Sequence, residues 1–574
     1  MVALAEGAAP IALDGARKSR GNLTRARIRW VMVVLALVFA AVMGRLIQLG
    51  TVVTDSTIEG QARDVITATR PAILDRNGLE LAVDIRVPSL FAEPRRIIDV
   101  DEAAEAILTV LPDLNRDWLT KRLTGDKGFV WVKRELSPAQ RDRLFSLGIP
   151  GLDFVTESKR FYPGGTEAAH VLGAVNIDNQ GIAGIEKHMD DQDVALLQEL
   201  GLARGNELAP VELSIDLRVQ HVMYEQLVDA LSRYQAVAAA GVMLDVRTGE
   251  VIAMVSLPDY DPNNPASAFE PYGGKKDQRF NRITSGIFEL GSTFKTITIA
   301  GALDSGLVKI TDSFDARFGI RFGRFTIDDF RGKHRVLQLP EVYKYSSNIG
   351  TIRIMQQWGK DNYRAFLSKL GFDKRVPFEL PEMRAPVVPV KWPDIVAATA
   401  SFGHGLSISP LHQAVAYAAF VNDGCMLPPT LYKRSQAEAR QLCTNVISPR
   451  TSAYIRYLMR LNALGGSGTR MNKAAAGYRA GGKTGTAEKV VNGAYASGLN
   501  LNVFTSAFPL DDPRYAMVVL VDEPKRENEQ AGATAGWNAG EVTGRIIARA
   551  APMLGIGPDF NEMIDANLVP IELR

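Results

Sequence analysis

The sequence predicts an α+β protein with an N-terminal membrane anchor, an intermediate domain and a large C-terminal domain built on one antiparallel sheet. Three observations predict this class. An uncharged stretch occupies residues 30–44, a mixture of turns and charged helices follows it, and strand-like segments then occur at both ends of a mostly helical region. Strands that are separated in sequence by helices are typical of α+β folds.

The composition is that of an ordinary globular protein. The chain has 574 residues, of which 46% are hydrophobic and 23% are charged, and this usage excludes disordered, collagen-like and disulfide-scaffold classes. The 66 Lys and Arg nearly balance the 64 Asp and Glu, which argues against a protein that binds nucleic acid. The six histidines and two cysteines form no HExxH or CxxC pattern, so we expect no metal site and no other cofactor.

The N-terminal segment predicts a single transmembrane helix at residues 30–50. Arg45 is its one charged residue, and Trp30–Leu49 would form about 30 Å of helix, one hydrocarbon thickness. Six basic residues precede this span: Arg17, Lys18, Arg20, Arg25, Arg27 and Arg29. The positive-inside rule therefore predicts a cytoplasmic basic tail at residues 1–29 and export of the chain after residue 50. This dense basic flank argues against a buried core helix, and the absence of a small-residue cleavage site argues against a signal peptide.

Export would place the two cysteines in a compartment that permits disulfides. Cys425 and Cys443 are close enough in sequence to form a bridge. Two free buried thiols are equally compatible with this spacing, so both states stay open.

Residues 51–215 predict an intermediate domain without a catalytic cluster. Short apolar runs alternate there with turns and with charged helices, which are predicted at Asp101–Leu111 and Glu186–Leu200. The pattern changes near residue 213, where Ser214-Ile215-Asp216 is typical of a helix N-cap and Leu217–Leu231 is amphipathic at helical spacing. We therefore predict a domain boundary between residues 215 and 216.

Residues 216–574 predict an antiparallel sheet flanked by helices. Two apolar runs at Ala238–Val246 and Glu250–Ser256 flank Arg247-Thr248-Gly249, which is a hairpin signal. Three further strands are predicted at Ala480–Val491, Asn502–Pro509 and Tyr515–Asp522. Helices are predicted at 292–304, 339–357, 360–370, 410–423, 448–462 and Trp537–Leu554. A domain of this size can bury its own core.

Three short patterns in this domain indicate nucleophilic catalysis. Ser292-Thr293-Phe294-Lys295 is S-x-x-K, Ser346-Ser347-Asn348 is S-x-N, and Lys483-Thr484-Gly485-Thr486 is K-T-G-T. Each pattern alone is more typical of a capped helix or a turn. Because each occurs once and in this order, the combination is far more specific than its parts.

The spacing of these residues supplies the parts of an acyl-transfer site. Ser292 and Lys295 are three positions apart on a predicted helix and share one face. A lysine with a lowered pKa can take the proton of such a serine, and the helix N-terminus offers backbone N–H donors to an oxyanion. Ser346 adds a hydroxyl for proton relay, and Asn348 adds an amide that can bind a peptide bond.

The K-T-G-T pattern supplies a recognition strand. Lys483 offers a cation, and the hydroxyls of Thr484 and Thr486 alternate with Gly485 along the predicted strand. We expect Gly485 to leave room for a substrate chain that lies along this strand, as in strand addition.

The three motifs together resemble those of the penicillin-recognising serine enzymes, which are the penicillin-binding proteins and the serine β-lactamases. The resemblance extends to the rest of the exported chain. Arg70–Gly78 resembles the R-G-x-I-x-D-R-N-G motif of class B penicillin-binding proteins, with Pro71 where the family usually has Gly. Later motifs of that class are matched at Arg160–Pro163, His170–Gly173, Gly181–Glu186, Asp245–Asn264, Gly403–Gly405 and Ser409–Leu411.

The resemblance implies a peptidoglycan D,D-transpeptidase. Ser292 would attack the penultimate D-Ala carbonyl of a stem pentapeptide and release the terminal D-Ala. The implied roles are Lys295 as base, Ser346 as proton relay, Asn348 on the donor backbone, and Lys483, Thr484 and Thr486 on the donor carboxylate. The backbone N–H groups of Ser292 and Thr486 would form the oxyanion hole. An amine of a second stem peptide would then complete the cross-link, whereas a β-lactam would acylate Ser292 and stay bound.

The resemblance also implies a class and a location. Residues 51–215 would form the pedestal, a dimerisation-type domain, and residues 216–574 the transpeptidase domain. Gly44–Leu49, Leu213–Arg218 and Ser256–Asn263 resemble division-specific (FtsI-type) members more than elongation-specific ones, which are the alternative. The implied setting is the inner membrane at the division septum, with the catalytic domain in the periplasm. The implied partners are peptidoglycan stem peptides, β-lactams as covalent inhibitors, an FtsW-type glycosyltransferase and other divisome membrane proteins, with no nucleic acid.

Three other functions fit the same motifs less well. A β-lactamase-type hydrolase would need neither the anchor nor the intermediate domain. A membrane-anchored β-lactam sensor would need a cytoplasmic output domain, for which 29 residues before the anchor are too few. A scaffold with a degenerate site would not need the intact residues of all three motifs.

Overall fold

The computed structural model describes residues 30–43, 70–192, 209–266, 278–491 and 494–574. The predicted tail at residues 1–29 and the end of the predicted anchor at 44–50 lie outside these residues. Residues 30–43 form a helix with exposed side chains. Across the described ranges, no helix combines the length and the apolar character that a membrane span needs.

The chain divides into two compact units. One contains Met1–Val65 and Pro88–Thr156, and the other contains Ile66–Val87 and Glu157–Arg574. The second unit includes part of the predicted intermediate domain together with the catalytic motifs. The predicted boundary between residues 215 and 216 stays a prediction.

The helices in Pro88–Thr156 begin at side-chain caps, which bind the backbone N–H groups that a helix start leaves unpaired. The caps and helices are Asp99 before Val100–Val110, Asn115 before Arg116–Leu123 and Ser137 before Pro138–Phe145. With the strand Val130–Lys133 they enclose a core that includes Ile107 and Leu119. The helix predicted at Asp101–Leu111 is therefore confirmed within one residue.

The second unit is built on a five-stranded antiparallel sheet. Its strands are β1 (Ala238–Asp245), β2 (Val251–Leu257), β3 (Gly481–Val491), β4 (Ala494–Phe508) and β5 (Tyr515–Asp522). Their spatial order is β3-β4-β5-β1-β2. Pairing of β1 with β5 joins the two strand groups that are far apart in sequence, so the predicted single sheet is confirmed.

Both faces of this sheet are buried. Met517, Val519 and Val521 of β5 lie in one apolar cluster, whereas Val518 and Leu520 lie in another on the opposite face. The helices Leu217–Arg233 and Ala539–Met553 belong to the first cluster, and Phe294–Asp304 and Pro410–Val421 belong to the second. Because successive strand residues point to opposite faces, such strands are continuous apolar runs.

The remaining strands form a second five-stranded sheet, which also contains Val130–Lys133, and several small two-stranded pieces. The other α-helices are Ala169–Leu172, Gly184–Asp191, Leu339–Lys344, Asn348–Trp358, Lys360–Lys369, Asp394–Ala400, Gln436–Leu442, Pro449–Gly465, Thr469–Ala474 and Glu562–Asn567. The other strands are Ile73–Leu74, Glu80–Ala92, Leu152–Phe161, Ala174–Val175, Gly181–Ala183, Val211–Glu212, Ser313–Asp315, Ile320–Phe322, Phe325–Ile327, Val336–Gln338, Cys425–Met426 and Thr444–Asn445.

The predicted helices of the larger unit are confirmed with one exception. The helix predicted at 339–357 is wrong as a single element, because it is broken into Leu339–Lys344 and Asn348–Trp358 at the S-x-N motif. The helix predicted at Glu186–Leu200 is described as Gly184–Asp191, and residues 193–200 lie outside the described ranges.

The two cysteines, left open by the sequence, form a disulfide. Cys425 and Cys443 are bonded, with their Cα atoms 5.4 Å apart. Cys425 belongs to a short antiparallel ladder between Cys425–Met426 and Thr444–Asn445, and Cys443 directly precedes its second strand.

A buried ion network joins three motifs that are distant in sequence. The guanidinium of Arg160 lies 2.6 Å from Glu186 Oε1 and 3.1 Å from Asp84 Oδ1, and all three side chains are nearly or fully buried. Arg70 binds the other oxygen of Glu186 at 2.8 Å. The carboxylates raise the pKa of Arg160 against the opposing effect of burial, which is the larger single influence on it.

We expect Arg160→Met to lower the free energy of unfolding by about 3 kcal/mol, because it leaves buried carboxylates without one of their counter-ions. Urea unfolding followed by tryptophan fluorescence measures this loss. Arg317→Met is the control, since Arg317 pairs with Asp315 at 2.8 Å where both side chains are about half exposed. It should leave the unfolding midpoint unchanged. Equal shifts in the two variants would contradict a special role for the buried network.

Candidate active site

The serine of the S-x-x-K motif lies on a tight turn at the start of a buried helix. Ser292 belongs to the 3-10 turn Gly291–Thr293, which leads into the α-helix Phe294–Asp304. Ser292 is half-buried, whereas Lys295 in the first helical turn is fully buried. A nucleophile at this position lies beside backbone N–H groups that the helix itself does not use.

Buried hydroxyl groups fix the start of this helix. The Tyr417 hydroxyl donates to the carbonyl oxygen of Thr293 at 2.8 Å and lies 2.6 Å from Thr296 Oγ1. Thr296 Oγ1 is also 2.9 Å from the hydroxyl of Tyr343. All these side chains are buried, so the network positions the helix start without competition from water.

The serine turn packs directly against strand β3 because two glycines permit it. A Cβ atom on Gly485 would lie 2.1 Å from the carbonyl oxygen of Leu290, and one on Gly291 would lie 2.9 Å from that of Thr486. We expected Gly485 to make room for a substrate chain. The structure gives it a different physical reason, since its missing side chain lets β3 approach the turn that carries Ser292.

The Gly403-His404-Gly405 segment lies against the same turn. The backbone N–H of Gly291 donates to the carbonyl oxygen of Gly403 at 3.3 Å, and the N–H of Gly405 donates to Glu289 Oε1 at 3.0 Å. Burial, with a smaller effect from the charge of Lys295, lowers the pKa of His404. This segment, which resembles a class B motif, therefore supports the turn that carries Ser292 and does not supply a nucleophile.

The S-x-N motif forms the break between two helices. Ser346 has a φ of 57°, in the left-handed region that few residues other than glycine adopt. This conformation turns the chain so that the side chains of Ser346 and Asn348 both reach Lys295. Lys295 Nζ donates to the carbonyl oxygen of Ser346 at 2.5 Å, to Ser346 Oγ at 3.1 Å and to Asn348 Oδ1 at 2.7 Å.

The third motif meets the other two at the same hydroxyl. Lys483 Nζ donates to Ser346 Oγ at 2.9 Å, so the hydroxyl of Ser346 lies between two ammonium groups. The structure thereby brings Lys295, Ser346, Asn348 and Lys483 into direct contact. In the described part of the chain, Ser292 Oγ makes no hydrogen bond to these residues; catalytic hydrogen bonds of unliganded sites often form only in the substrate complex.

Burial lowers the pKa values of both lysines. Burial lowers the pKa of Lys295 well below its usual value, the positive charge of Lys483 lowers it further, and the carboxylate of Asp329 opposes this shift. Burial alone lowers the pKa of Lys483 to about 7. Both shifts disfavour two charged lysines side by side, so Lys295 gives up its proton more readily than an exposed lysine and can act as a base.

Asp329 is a site residue that the sequence analysis missed. Its Oδ1 accepts hydrogen bonds from the backbone N–H groups of Asn348 at 2.5 Å and Ile349 at 3.0 Å, and its Oδ2 accepts one from Ser347 Oγ at 2.7 Å. Asp329 therefore caps the helix Asn348–Trp358 and holds the S-x-N turn. No motif marks it; the one signal is a pair of adjacent aspartates in a segment rich in arginine.

The threonine hydroxyls of β3 have protein partners in this state. Thr484 Oγ1 lies 2.7 Å from Ser467 Oγ, and Thr486 Oγ1 accepts from the backbone N–H of Ala535 at 3.3 Å. Side chains alternate along a strand, and β3 is the edge strand of its sheet, so Lys483 and these hydroxyls flank the outer edge of β3 from its two faces. The structure places them on the catalytic strand but not in contact with Ser346.

Two family descriptions match the chain. The penicillin binding protein transpeptidase domain matches residues 239–547, and the penicillin-binding protein dimerisation domain matches residues 65–193. The first match includes all three motifs, and the second includes the ion network residues Arg70, Asp84, Arg160 and Glu186.

The chain is similar over most of its length to curated relatives. It is 37% identical to the probable peptidoglycan D,D-transpeptidase FtsI of Caulobacter vibrioides, over 86% of this chain and 82% of the relative. It is 33% identical to the probable peptidoglycan D,D-transpeptidase PenA of Neisseria meningitidis, over 93% of each chain. It is 30% identical to the peptidoglycan D,D-transpeptidase FtsI of Escherichia coli, over 93% of this chain and 92% of the relative. With its three motifs converging on one hydroxyl and both domains matched, the chain belongs to the penicillin-binding proteins of class B.

Proposed function

We propose that this chain is a serine-type peptidoglycan D,D-transpeptidase that cross-links stem peptides in septal cell-wall synthesis during cell division. The observation that carries the proposal is the Ser346 hydroxyl held between the buried ammonium groups of Lys295 and Lys483. The relatives named FtsI support the division role over the elongation role.

In the first half-reaction, Ser292 Oγ forms a bond to the carbonyl carbon of the penultimate D-Ala. Lys295, whose pKa is lowered by burial, takes the serine proton in its neutral form. The bond between this carbon and the nitrogen of the terminal D-Ala then breaks. Ser346 passes a proton from the lysine pair to the departing amine, since its hydroxyl contacts both lysines.

Backbone and side-chain groups hold the donor peptide during this step. The N–H groups of Ser292 and Thr486 donate to the developing oxyanion, which the close packing of β3 on the serine turn supports. Asn348 binds the donor backbone. Lys483, Thr484 and Thr486 bind the terminal carboxylate, and Gly485 keeps their strand close to Ser292.

In the second half-reaction, the amine of another stem peptide attacks the acyl carbon. A new amide bond forms, the ester bond to Ser292 breaks, and the proton of the amine returns to Ser292 Oγ through Lys295. A β-lactam acylates Ser292 in the same way but leaves an ester that no amine resolves, so it acts as a covalent inhibitor. Neither half-reaction uses a metal or a cofactor.

We further propose the membrane topology and domain organisation that the sequence predicts. Residues 1–29 form a cytoplasmic tail, 30–50 a single inner-membrane span, 51–215 the pedestal and 216–574 the periplasmic transpeptidase domain. The basic residues before the span support this orientation. An FtsW-type glycosyltransferase and other divisome membrane proteins are the proposed partners at the septum.

Ser292→Ala should abolish covalent labelling by a fluorescent penicillin, because no other group can form the acyl ester. Gel fluorescence of the purified protein measures the labelling. Ser305→Ala, at the far end of the same helix, is the matched control and should label like the wild type. Labelling of the Ser292 variant would refute the assignment of the nucleophile, and a wild-type label that disappears within seconds would indicate a β-lactamase-type hydrolase.

The pH dependence of acylation should show two opposite effects. Lys295 acts as base when neutral, so kcat/KM should rise as the pH increases through its lowered pKa. Lys483 binds the carboxylate when protonated, so kcat/KM should fall above about pH 7, where free Lys483 loses its proton. Stopped-flow acylation by a penicillin measures both limbs. The methyl ester of the same penicillin is the control: a fall of the same size above pH 7 would exclude this role of Lys483.

Asp329→Asn should reduce the acylation rate about tenfold while the protein stays folded, since the S-x-N turn loses a charged cap. Because the carboxylate of Asp329 opposes the lowering of the Lys295 pKa, its removal should also move the acid limb to lower pH. Asp328→Asn is the control, because Asp328 contacts Asn348 through its main-chain carbonyl. A slower rate with an unshifted acid limb would mean that Asp329 acts through structure alone.

A further inference from the structure

The segment that leads into the S-x-N turn carries an excess of positive charge. Residues 317–345 contain seven basic residues (Lys or Arg) and only three acidic ones. The formal charge of the whole chain, by comparison, is +2. Two of these acids already have internal roles, since Asp329 caps the S-x-N turn and Glu341 pairs with Arg335. The positive charge near the turn is therefore largely uncompensated within the segment.

Three cations surround one aromatic ring next to the proposed proton relay. Lys333 Nζ lies 4.7 Å, Lys344 Nζ 5.7 Å and Arg335 Cζ 6.0 Å from the ring centroid of Tyr345. Cation–π contacts of this kind are favourable, but the cations repel one another. Within the described ranges, no carboxylate lies in ion-pair distance of Lys333 or Lys344, so both ammonium groups can accept an external anion.

Exposed apolar surface accompanies these cations. Phe330 is 83% exposed, and the guanidinium of Arg331 lies 5.7 Å from its ring centroid. An exposed aromatic ring beside cations offers apolar contact and cation–π contact to a bound chain. We call Phe330, Arg331, Lys333, Lys344 and Tyr345 the Tyr345 surface.

The Tyr345 surface is continuous with the wall of the active site. Tyr345 directly precedes Ser346, and Phe330 directly follows Asp329, whose carboxylate binds Ser347 and Asn348. In the proposed reaction the carboxylate of the donor is held by the opposite wall, at Lys483, Thr484 and Thr486. The cations at the S-x-N wall are therefore available to a second substrate.

We propose that the Tyr345 surface binds the acceptor stem peptide through the carboxylates of that peptide. This inference rests on the proposed function, because the second half-reaction requires a second peptide next to Ser292. A stem peptide brings a C-terminal carboxylate and acidic side chains, which complement Lys333 and Lys344. Phe330 then covers apolar parts of the same chain. The surface selects the acceptor by charge, without contact to the reacting carbonyl.

The test measures acyl transfer by the full-length protein in detergent, with a small D-alanyl thioester as donor. Two acceptors are compared, a stem tetrapeptide with free carboxylates and the same peptide with its carboxylates amidated. We expect the wild type to use the free acid about tenfold better in kcat/KM, and this preference should weaken as salt is added. Lys333→Gln combined with Lys344→Gln should abolish the preference. Lys391→Gln, which changes an exposed lysine elsewhere, should retain it.

The same variants distinguish a failure of this proposal from a failure of the proposed function on which it rests. Fluorescent-penicillin labelling of Ser292 should be unchanged in the double variant, which shows that the fold and acylation are intact. Equal use of the two acceptors by the wild type, or an equal loss on both in the double variant, would overturn the proposal while acylation stands. A double variant that kept its acceptor preference but lost its preference for a donor with a free carboxylate would also overturn it.

A lipid surface is the competing occupant. If the double variant kept its acceptor preference but bound anionic phospholipid vesicles more weakly than the wild type, the Tyr345 surface would be a membrane site and the proposal would be wrong. If the wild type were not acylated at all, the proposed function would fail, and this inference would fail with it.

Discussion

The burial of two lysine ammonium groups around one hydroxyl is the constraint on which the active site depends. Lys295 and Lys483 both donate to Ser346 Oγ, at 3.1 and 2.9 Å. Two buried like charges at this separation are costly, and the cost is reduced when one lysine gives up its proton. The surrounding structure keeps the pair together: the buried hydroxyls fix the helix of Lys295, β3 fixes Lys483, and Asp329 fixes the S-x-N turn. The folded scaffold thus holds two lysines beside one hydroxyl, and their burial and mutual charge lower the pKa of Lys295.

The sequence predicted the sheet well and the S-x-N turn poorly, for physical reasons. Strands such as Tyr515–Asp522 are buried on both faces, so their apolar character is visible in the sequence itself. The break at Ser346 is set by distant groups, since the left-handed backbone there is held by Lys295, Lys483 and Asp329. Local propensity favours an uninterrupted helix over 339–357 and contains no information about those contacts. The motifs identified the residues of the site, but they gave neither the support from Asp329 nor the packing reason for Gly485.

The segments that resemble class B motifs outside the catalytic centre have a shared structural explanation. Arg70, Arg160 and Glu186 come from three such segments and meet in one buried ion network. Asp75, from the first segment, accepts from the backbone N–H of Leu217 at 3.1 Å and so caps the first helix of the predicted transpeptidase domain. These motif residues thus bind one another, and one of them caps a helix of the same compact unit.

The pairing of β1 with β5 has a consequence for the order in which the protein becomes active. During synthesis, β1, β2 and Ser292 are made long before β3, β4 and β5, and β1 has no strand partner on its β5 side until residues 515–522 are made. Contacts this distant in sequence form late and slowly. A nascent chain that ends before β3 therefore lacks both Lys483 and the strand that packs on the serine turn. Ser292 and Lys295 are neighbours at the start of one helix, but Lys483 joins them only when the two strand groups have formed one sheet.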